Sequence, residues 1–170
     1  MIQGLLIIES KLIKDERGFF MEKYKQSEFE KLGLPLFKQD NFSVSRKGVI
    51  RGLHYQISPY QQGKLVSVVL GRVWDVAVDI RKSSPTFGQW QGVELSDENN
   101  LSFYIPPGFA HGFSVLSEKA NVLYKCTNEY SQIHEMGIRF DDLDLNIDWK
   151  VIQPIVSKKD LKWPLLNAKK

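Results

Sequence analysis

Leu65-Val66-Ser67-Val68-Val69-Leu70-Gly71-Arg72-Val73-Trp74-Asp75-Val76-Ala77-Val78-Asp79-Ile80 is the stretch from which the fold is read. Two runs rich in β-branched residues flank a Gly-Arg pair, a pattern that predicts a β-hairpin over 65–80 with a tight glycine-containing turn. In the second arm Trp74, Val76, Val78 and Ile80 share one face, while Val73, Asp75, Ala77 and Asp79 take the other, because strand side chains alternate. Acids alternating with small apolar residues suit a partly polar barrel lumen. An edge strand with one face in solvent has the same pattern.

Working outward, short runs of strand character recur near 5–13, 18–24, 38–45, 49–56, 90–95, 102–105, 112–117 and 121–127, separated by turn residues. Ser27 followed by Glu30 makes a capping box that opens a helix over 28–32, stopped by Gly33 and Pro35. A second helical turn begins at Ser157 and runs through Lys158, Lys159 and Asp160. Many strands at short spacing predict a mostly β protein, an antiparallel jelly-roll β-barrel with a few short helices. Without repeats, low-complexity tracts or linkers, residues 1–170 read as one domain, long enough to bury a core.

The composition narrows the function classes. Net charge is +3, with no long Lys/Arg run. A solvated, slightly basic surface accounts for it, and so does a basic groove for a small anionic substrate; a nucleic-acid footprint needs a denser stripe. Cys126 is the single cysteine, so an internal disulfide and a Cys-rich zinc site are both excluded. The apolar run Leu5-Leu6-Ile7-Ile8 is cut short by Glu9, Ser10 and Lys11, too brief for a signal segment or a membrane span. The expectation is a cytoplasmic protein that engages neither membrane nor nucleic acid.

Three histidines are present: His54, His111 and His134. A lone histidine in a strand is more often structural than catalytic, but His54 sits in Val49-Ile50-Arg51-Gly52-Leu53-His54-Tyr55-Gln56. In a regular strand Arg51 and His54 face opposite ways; a bulge at Gly52 brings both to one side. His111 follows the rigid turn Ile105-Pro106-Pro107-Gly108. Neither a nucleophile elbow nor a phosphate-cradling glycine loop nor a dinucleotide fingerprint occurs, and Cys126 has no neighbouring histidine. General acid–base chemistry is what remains.

Nine segments closely resemble one family. They are Asp15-Glu16-Arg17-Gly18-Phe19-Phe20-Met21-Glu22, Gln39-Asp40-Asn41, Arg51-Gly52-Leu53-His54, Gln62-Gly63-Lys64, Asp75 to Arg81, Ser84-Pro85-Thr86-Phe87-Gly88, Pro107 to Phe113, Leu123-Tyr124-Lys125-Cys126-Thr127 and Ser157-Lys158-Lys159-Asp160. The resemblance is to the dTDP-4-dehydrorhamnose 3,5-epimerases; it is colinear and spans nearly the whole chain. It implies a cupin-like homodimer without metal or cofactor, converting dTDP-4-dehydro-6-deoxy-glucose to dTDP-4-dehydro-rhamnose. Metal-binding cupins place two histidines one residue apart with a nearby Glu; here position 56 is Gln and no His-x-His occurs.

The same resemblance implies the site. His54 is the base, suited because imidazole titrates near working pH, and Asp160 is its paired carboxylate, with Asp75 as the alternative orienter. Tyr124 is the proton donor, and Lys64 the cation beside the enolate oxygen, on the order of several kcal/mol. Arg17 and Arg51 match diphosphate and sugar contacts, where guanidinium forks suit phosphate. Gln39 and Asn41 match amides that recognise the base, and Phe20 and Tyr130 the aromatic pair around thymine. Glu22, His111, Glu135 and Lys159 match further substrate contacts. The segment with Arg17, Phe20 and Glu22 is donated across the dimer in the family. Seen singly, these aromatics read as core or edge residues and these charges as surface ones; the shared colinear pattern is what lifts them.

His134 aligns with nothing functional and is expected to be an exposed loop residue. Departures from commoner family residues fall at Glu129, Gln132-Ile133-His134 and Leu161-Lys162-Trp163. Two other readings stand beside this one: an epimerase acting at C3 or C5 alone, and a nucleotide-sugar-binding module without turnover.

Overall fold

The computed structural model describes residues 1–166. Twelve strands occur among them: β1 (Leu6–Glu9), β2 (Ile13–Asp15), β3 (Gly18–Phe20), β4 (Gln39–Arg46), β5 (Ile50–Gln56), β6 (Lys64–Leu70), β7 (Arg72–Asp79), β8 (Trp90–Ser96), β9 (Leu101–Ile105), β10 (Phe109–Val115), β11 (Lys119–Cys126) and β12 (Glu135–Gly137), with one helix, α1 (Gln26–Lys31). They form two five-stranded sheets, ordered β1-β9-β6-β11-β4 and β12-β5-β10-β7-β8, and a detached β2-β3 hairpin. All ladders in the two sheets are antiparallel. The expected mostly β jelly roll is present as two facing sheets. No ladder joins their edges into a closed barrel among the described residues.

The expected 65–80 hairpin is not formed. β6 lies between β9 and β11 in one sheet, and β7 between β8 and β10 in the other. Their backbone donors and acceptors are spent on those partners, so the two runs are successive strands that turn a corner between sheets. Only Gly71 separates them, one residue fewer than a tight hairpin loop requires. Gly71 has φ +79°, and a Cβ there would lie 2.1 Å from the Lys119 carbonyl. Its N–H donates to Asp97 Oδ2 at 3.0 Å.

The alternation expected in β7 is kept, but both faces are covered. Val73 and Ala77 point between the sheets and pack with Val66, Phe103, Phe113 and Val115. Val76 and Val78 point the other way, beneath Ile138, Leu145 and Trp149 from the C-terminal segment. That segment explains why β10 is buried at every residue. Asp75 and Asp79 are both fully buried on the inner side, which excludes the solvent-edge reading. Asp79 is saturated by Arg81, Ser84 and Thr86; burial works to raise its carboxyl pKa, and these bonds overcome it and push the pKa far down.

Other boundaries differ as well. The 5–13 run divides into β1 and β2, and β3 ends at Phe20, short of 24. β12 was not anticipated, since three residues carry no alternation. α1 starts at Gln26 after Lys25, without a side-chain cap, so Ser27 lies inside the first turn. Glu30 accepts from the Gln26 amide at 2.8 Å and so serves the helix surface, not the capping box. Gly33 does end the helix, with φ +75° and its N–H on the Glu30 carbonyl, while Leu34 N–H reaches Phe29. Ser157 Oγ accepts the Asp160 N–H at 3.0 Å, but the 3-10 turn spans Asp160–Lys162 with Lys159, not Ser157, at its N-cap and no side-chain cap there.

Candidate active site

β5 carries the centre of the site, and its bulge decides which residues meet. Opposite β10, His111 pairs with His54 and Phe113 with Arg51, so β5 spends three steps where β10 spends two. The extra residue lies around Gly52, and it turns Arg51 and His54 to the same inner side, where they line one hollow with Lys64, His111, Tyr124, Tyr130 and Glu135. Gly52 has φ +121°, and a Cβ there would meet Gly112 Cα at 2.5 Å and the His111 carbonyl at 2.8 Å. Two facing glycines are therefore what lets β5 and β10 approach at this point.

His54 Nε2 lies 2.7 Å from Asp160 Oδ1. Asp160 is buried and reaches the site from the C-terminal turn, which is fastened to β5 where Val49 bridges Ile155. Burial works to raise the Asp160 carboxyl pKa, but the His54 bond and charge, with the Gly52 and Ser157 contacts, bring it below the usual range. Asp160 is thus an anion, and it accepts the Nε2–H of His54. Asp75, the alternative orienter, instead receives His111 Nε2 at 2.9 and 3.0 Å. Burial holds the His111 pKa below its ordinary value, against the attraction of Asp75, so its ring is neutral.

Lys64 enters from β6, with Nζ 3.5 Å from the His54 carbonyl, and burial lowers its pKa. Tyr124 projects from β11 into the same hollow; burial raises its phenol pKa, so it holds its proton at neutral pH. Arg51 donates Nε–H to Ser45 Oγ at 3.0 Å, a partner no sequence signal marked.

An adjoining hollow shares His54, Lys64, Tyr124, Tyr130 and Glu135 and adds Gln39, Asn41, Gln56 and Gln62. Gln39 Nε2 donates to Asn41 Oδ1 at 2.8 Å and Gln39 Oε1 accepts the Tyr130 N–H at 2.7 Å. Tyr130 Oη and Lys159 Nζ both donate to Glu135 Oε2 at 2.5 Å. The Glu135 bond pushes the Tyr130 pKa up to about 12. Burial tends to raise the Glu135 pKa, but Lys159 and Tyr130 bring it down.

Arg17, Phe20 and Glu22 stand outside this pocket, exposed on and just after the β2-β3 hairpin. Among the described residues Arg17 pairs only locally, with Asp15 at 2.5 Å. His134 corrects the expectation of an exposed residue: it is half-buried, stacks on Tyr60 at 4.5 Å and has Nδ1 2.7 Å from Ser131 Oγ. Gln56 and Gln62 were missed as site residues; the position of Gln56 two residues from His54, on the same strand face, was the available signal. No three His, Cys, Asp or Glu side chains gather in a metal-holding arrangement among the described residues. No helix is long and apolar enough to cross a membrane among those residues.

Between the two sheets, then, a histidine–carboxylate pair, a lysine and a tyrosine are gathered around one pocket. The family model described as dTDP-4-dehydrorhamnose 3,5-epimerase matches residues 1–168. An enzyme of that name from Shigella flexneri is 57% identical over 162 residues, covering 94% of this chain and 90% of the relative. The crystal structure of the Elizabethkingia anophelis enzyme superposes with TM-score 0.93 at 52% identity, covering 99% of this chain and 94% of that one. A Legionella pneumophila dTDP-6-deoxy-D-glucose-3,5-epimerase, solved with dTDP-4-keto-L-rhamnose, has TM-score 0.93 and 55% identity, covering 98% and 89%. The chain belongs to the dTDP-4-dehydrorhamnose 3,5-epimerase family.

Proposed function

We propose that this protein inverts C3 and C5 of dTDP-4-dehydro-6-deoxy-D-glucose to give dTDP-4-dehydro-L-rhamnose, with His54 as base and Tyr124 as acid. The observation that carries the reading is the 2.7 Å His54–Asp160 pair opening onto the hollow that also holds Lys64 and Tyr124. The C4 ketone acidifies the protons on C3 and C5. His54 Nδ1 takes one of them, and the C–H electron pair moves into an enolate whose charge collects on the C4 oxygen. The Lys64 ammonium stabilises that oxygen, and buried Asp160 stabilises the imidazolium. Tyr124 then delivers a proton to the opposite face of the carbon and the ketone re-forms; His54 releases its captured proton to solvent and Tyr124 takes one up from solvent, which resets both groups. The same cycle repeats at the second carbon.

Arg51 and Lys159, two cations on the dyad's other flank, suit the diphosphate, with His111 behind the sugar. Gln39, Asn41 and Tyr130 suit thymine. Arg17, Phe20 and Glu22 complete the pocket of a second copy in a cytoplasmic homodimer. Two features support this: the exposed hairpin, with Phe20 63% accessible, and the apolar outer face of the first sheet, where Phe42, Val44 and Val69 are exposed.

Proton NMR in deuterated water with the 4-keto substrate tests the reading. Deuterium entering at both C3 and C5, with inversion at each, is the expected result. Deuterium at one carbon identifies a narrower epimerase, and none at either removes the activity.

A further inference from the structure

The side chain of Gln56 is buried, and its amide is almost fully used. Nε2 donates to the Tyr60 carbonyl at 2.7 Å and to the Glu129 carbonyl at 3.2 Å. Oε1 accepts the Ser131 N–H at 2.6 Å. One side chain on the strand that bears His54 thus grips two separate loops, 57–62 and 127–134, and the second grip closes on both sides of Tyr130. Around it the loops are stitched by Asn128 Nδ2 to the Pro59 carbonyl, Gln62 Nε2 to the Asn128 carbonyl and the Tyr60–His134 stack.

Only an amide of this length serves. A Glu would turn an acceptor on two carbonyl oxygens, a His has too few donors on one side, and an Asn is one methylene short. Gln56 itself is buried and the three bonds are part-buried, so a side chain that leaves them unmade removes the shared anchor of both loops, and the loop around Tyr130 opens.

We infer that Gln56 is a positioning residue that holds Tyr130 in its nucleotide-binding place, setting affinity for the dTDP half of the substrate while leaving the His54–Asp160 chemistry to others. The inference rests on the proposed epimerase function only in naming the nucleotide. If the loop is competent for a fraction of the time, the apparent dissociation constant rises by the inverse of that fraction, whereas turnover on bound substrate is retained.

The test uses Gln56→Leu and Gln56→Glu, each checked for native circular dichroism, with two measurements. Hydrogen exchange should show amides 128–133 exchanging at least about tenfold faster in both variants while β5 and β11 keep their protection. The dissociation constant of dTDP alone and KM for the 4-keto sugar should rise about tenfold or more, with kcat lowered less than about threefold. If one variant does not fold, the other carries both measurements. Loop exchange equal to native overturns the inference. So does a loosened loop with unchanged dTDP affinity, or a collapse of kcat at unchanged KM. Failure of the epimerase reading looks different: the native protein would neither bind dTDP nor exchange deuterium, and the exchange map would still decide whether Gln56 holds the loop.

Discussion

Replacing Asp160 by Asn removes one charge and changes almost no volume, so its effect measures what the carboxylate does for His54. The pair is 2.7 Å apart and Asp160 is only 4% accessible, so solvent screens it little. A hydrogen bond to a charged group is worth about 1.5–3 kcal/mol. At about 1.4 kcal/mol per decade of rate, that is a loss of roughly 10- to 150-fold. The amide adds a second fault. Asp160 Oδ2 faces the Gly52 N–H at 3.5 Å, so in Asp160→Asn the new amide is drawn to keep its oxygen there and turn its NH2 toward Nε2. The imidazole proton then moves to Nδ1, the atom assigned as base. In the serine-protease triad the same tautomer error costs about 10⁴, so the expected loss of kcat lies between about 10² and 10⁴. KM should change less than about threefold, because the dyad binds little of the nucleotide. The assay is deuterium wash-in at C3 and C5 by NMR at saturating substrate. A variant within about threefold of native at both carbons, or one altered only in KM, would refute the assignment.

Tyr124→Phe should leave wash-in at retained stereochemistry largely intact while inversion falls about 10²-fold or more, as expected on removing a general acid; equal loss of both would place Tyr124 in the first proton transfer. Co-expressing Arg17→Ala and His54→Ala chains, each inactive alone, should recover about a quarter of native activity: half the dimers are mixed and each has one intact site. A monomer by light scattering, or no recovery, would sink the shared pocket. For His111, whose folded pKa is lowered chiefly by burial, the unfolded chain takes up its proton first, below about pH 6.5. Stability therefore falls as pH drops from about 7.5 toward about 5.5. Urea denaturation should show a smaller fall in His111→Gln than in the native protein, and equal falls would refute the argument.

The strand pattern and the membership of His54, Lys64 and Tyr124 in one colinear motif set were legible in the chain, because alternation and local motifs are written within a few residues. The same locality explains the errors. At 65–80 the sequence shows two strands and a turn residue, but it does not say with whom a strand pairs, and partners from β8 to β11 claimed both. At Gly52 the sequence allowed either face for Arg51, and only the register against β10, with Gly112 opposite, chose the inner one. That Asp160 and not Asp75 lies beside His54 was likewise invisible locally, since the C-terminal turn delivers Asp160 to His54 across 106 residues. Gln56 passed unread because its role lies in three backbone partners on two loops. Residue types and their spacing are properties of the chain, whereas pairing, burial and the convergence of remote groups exist only once the two sheets have closed on each other.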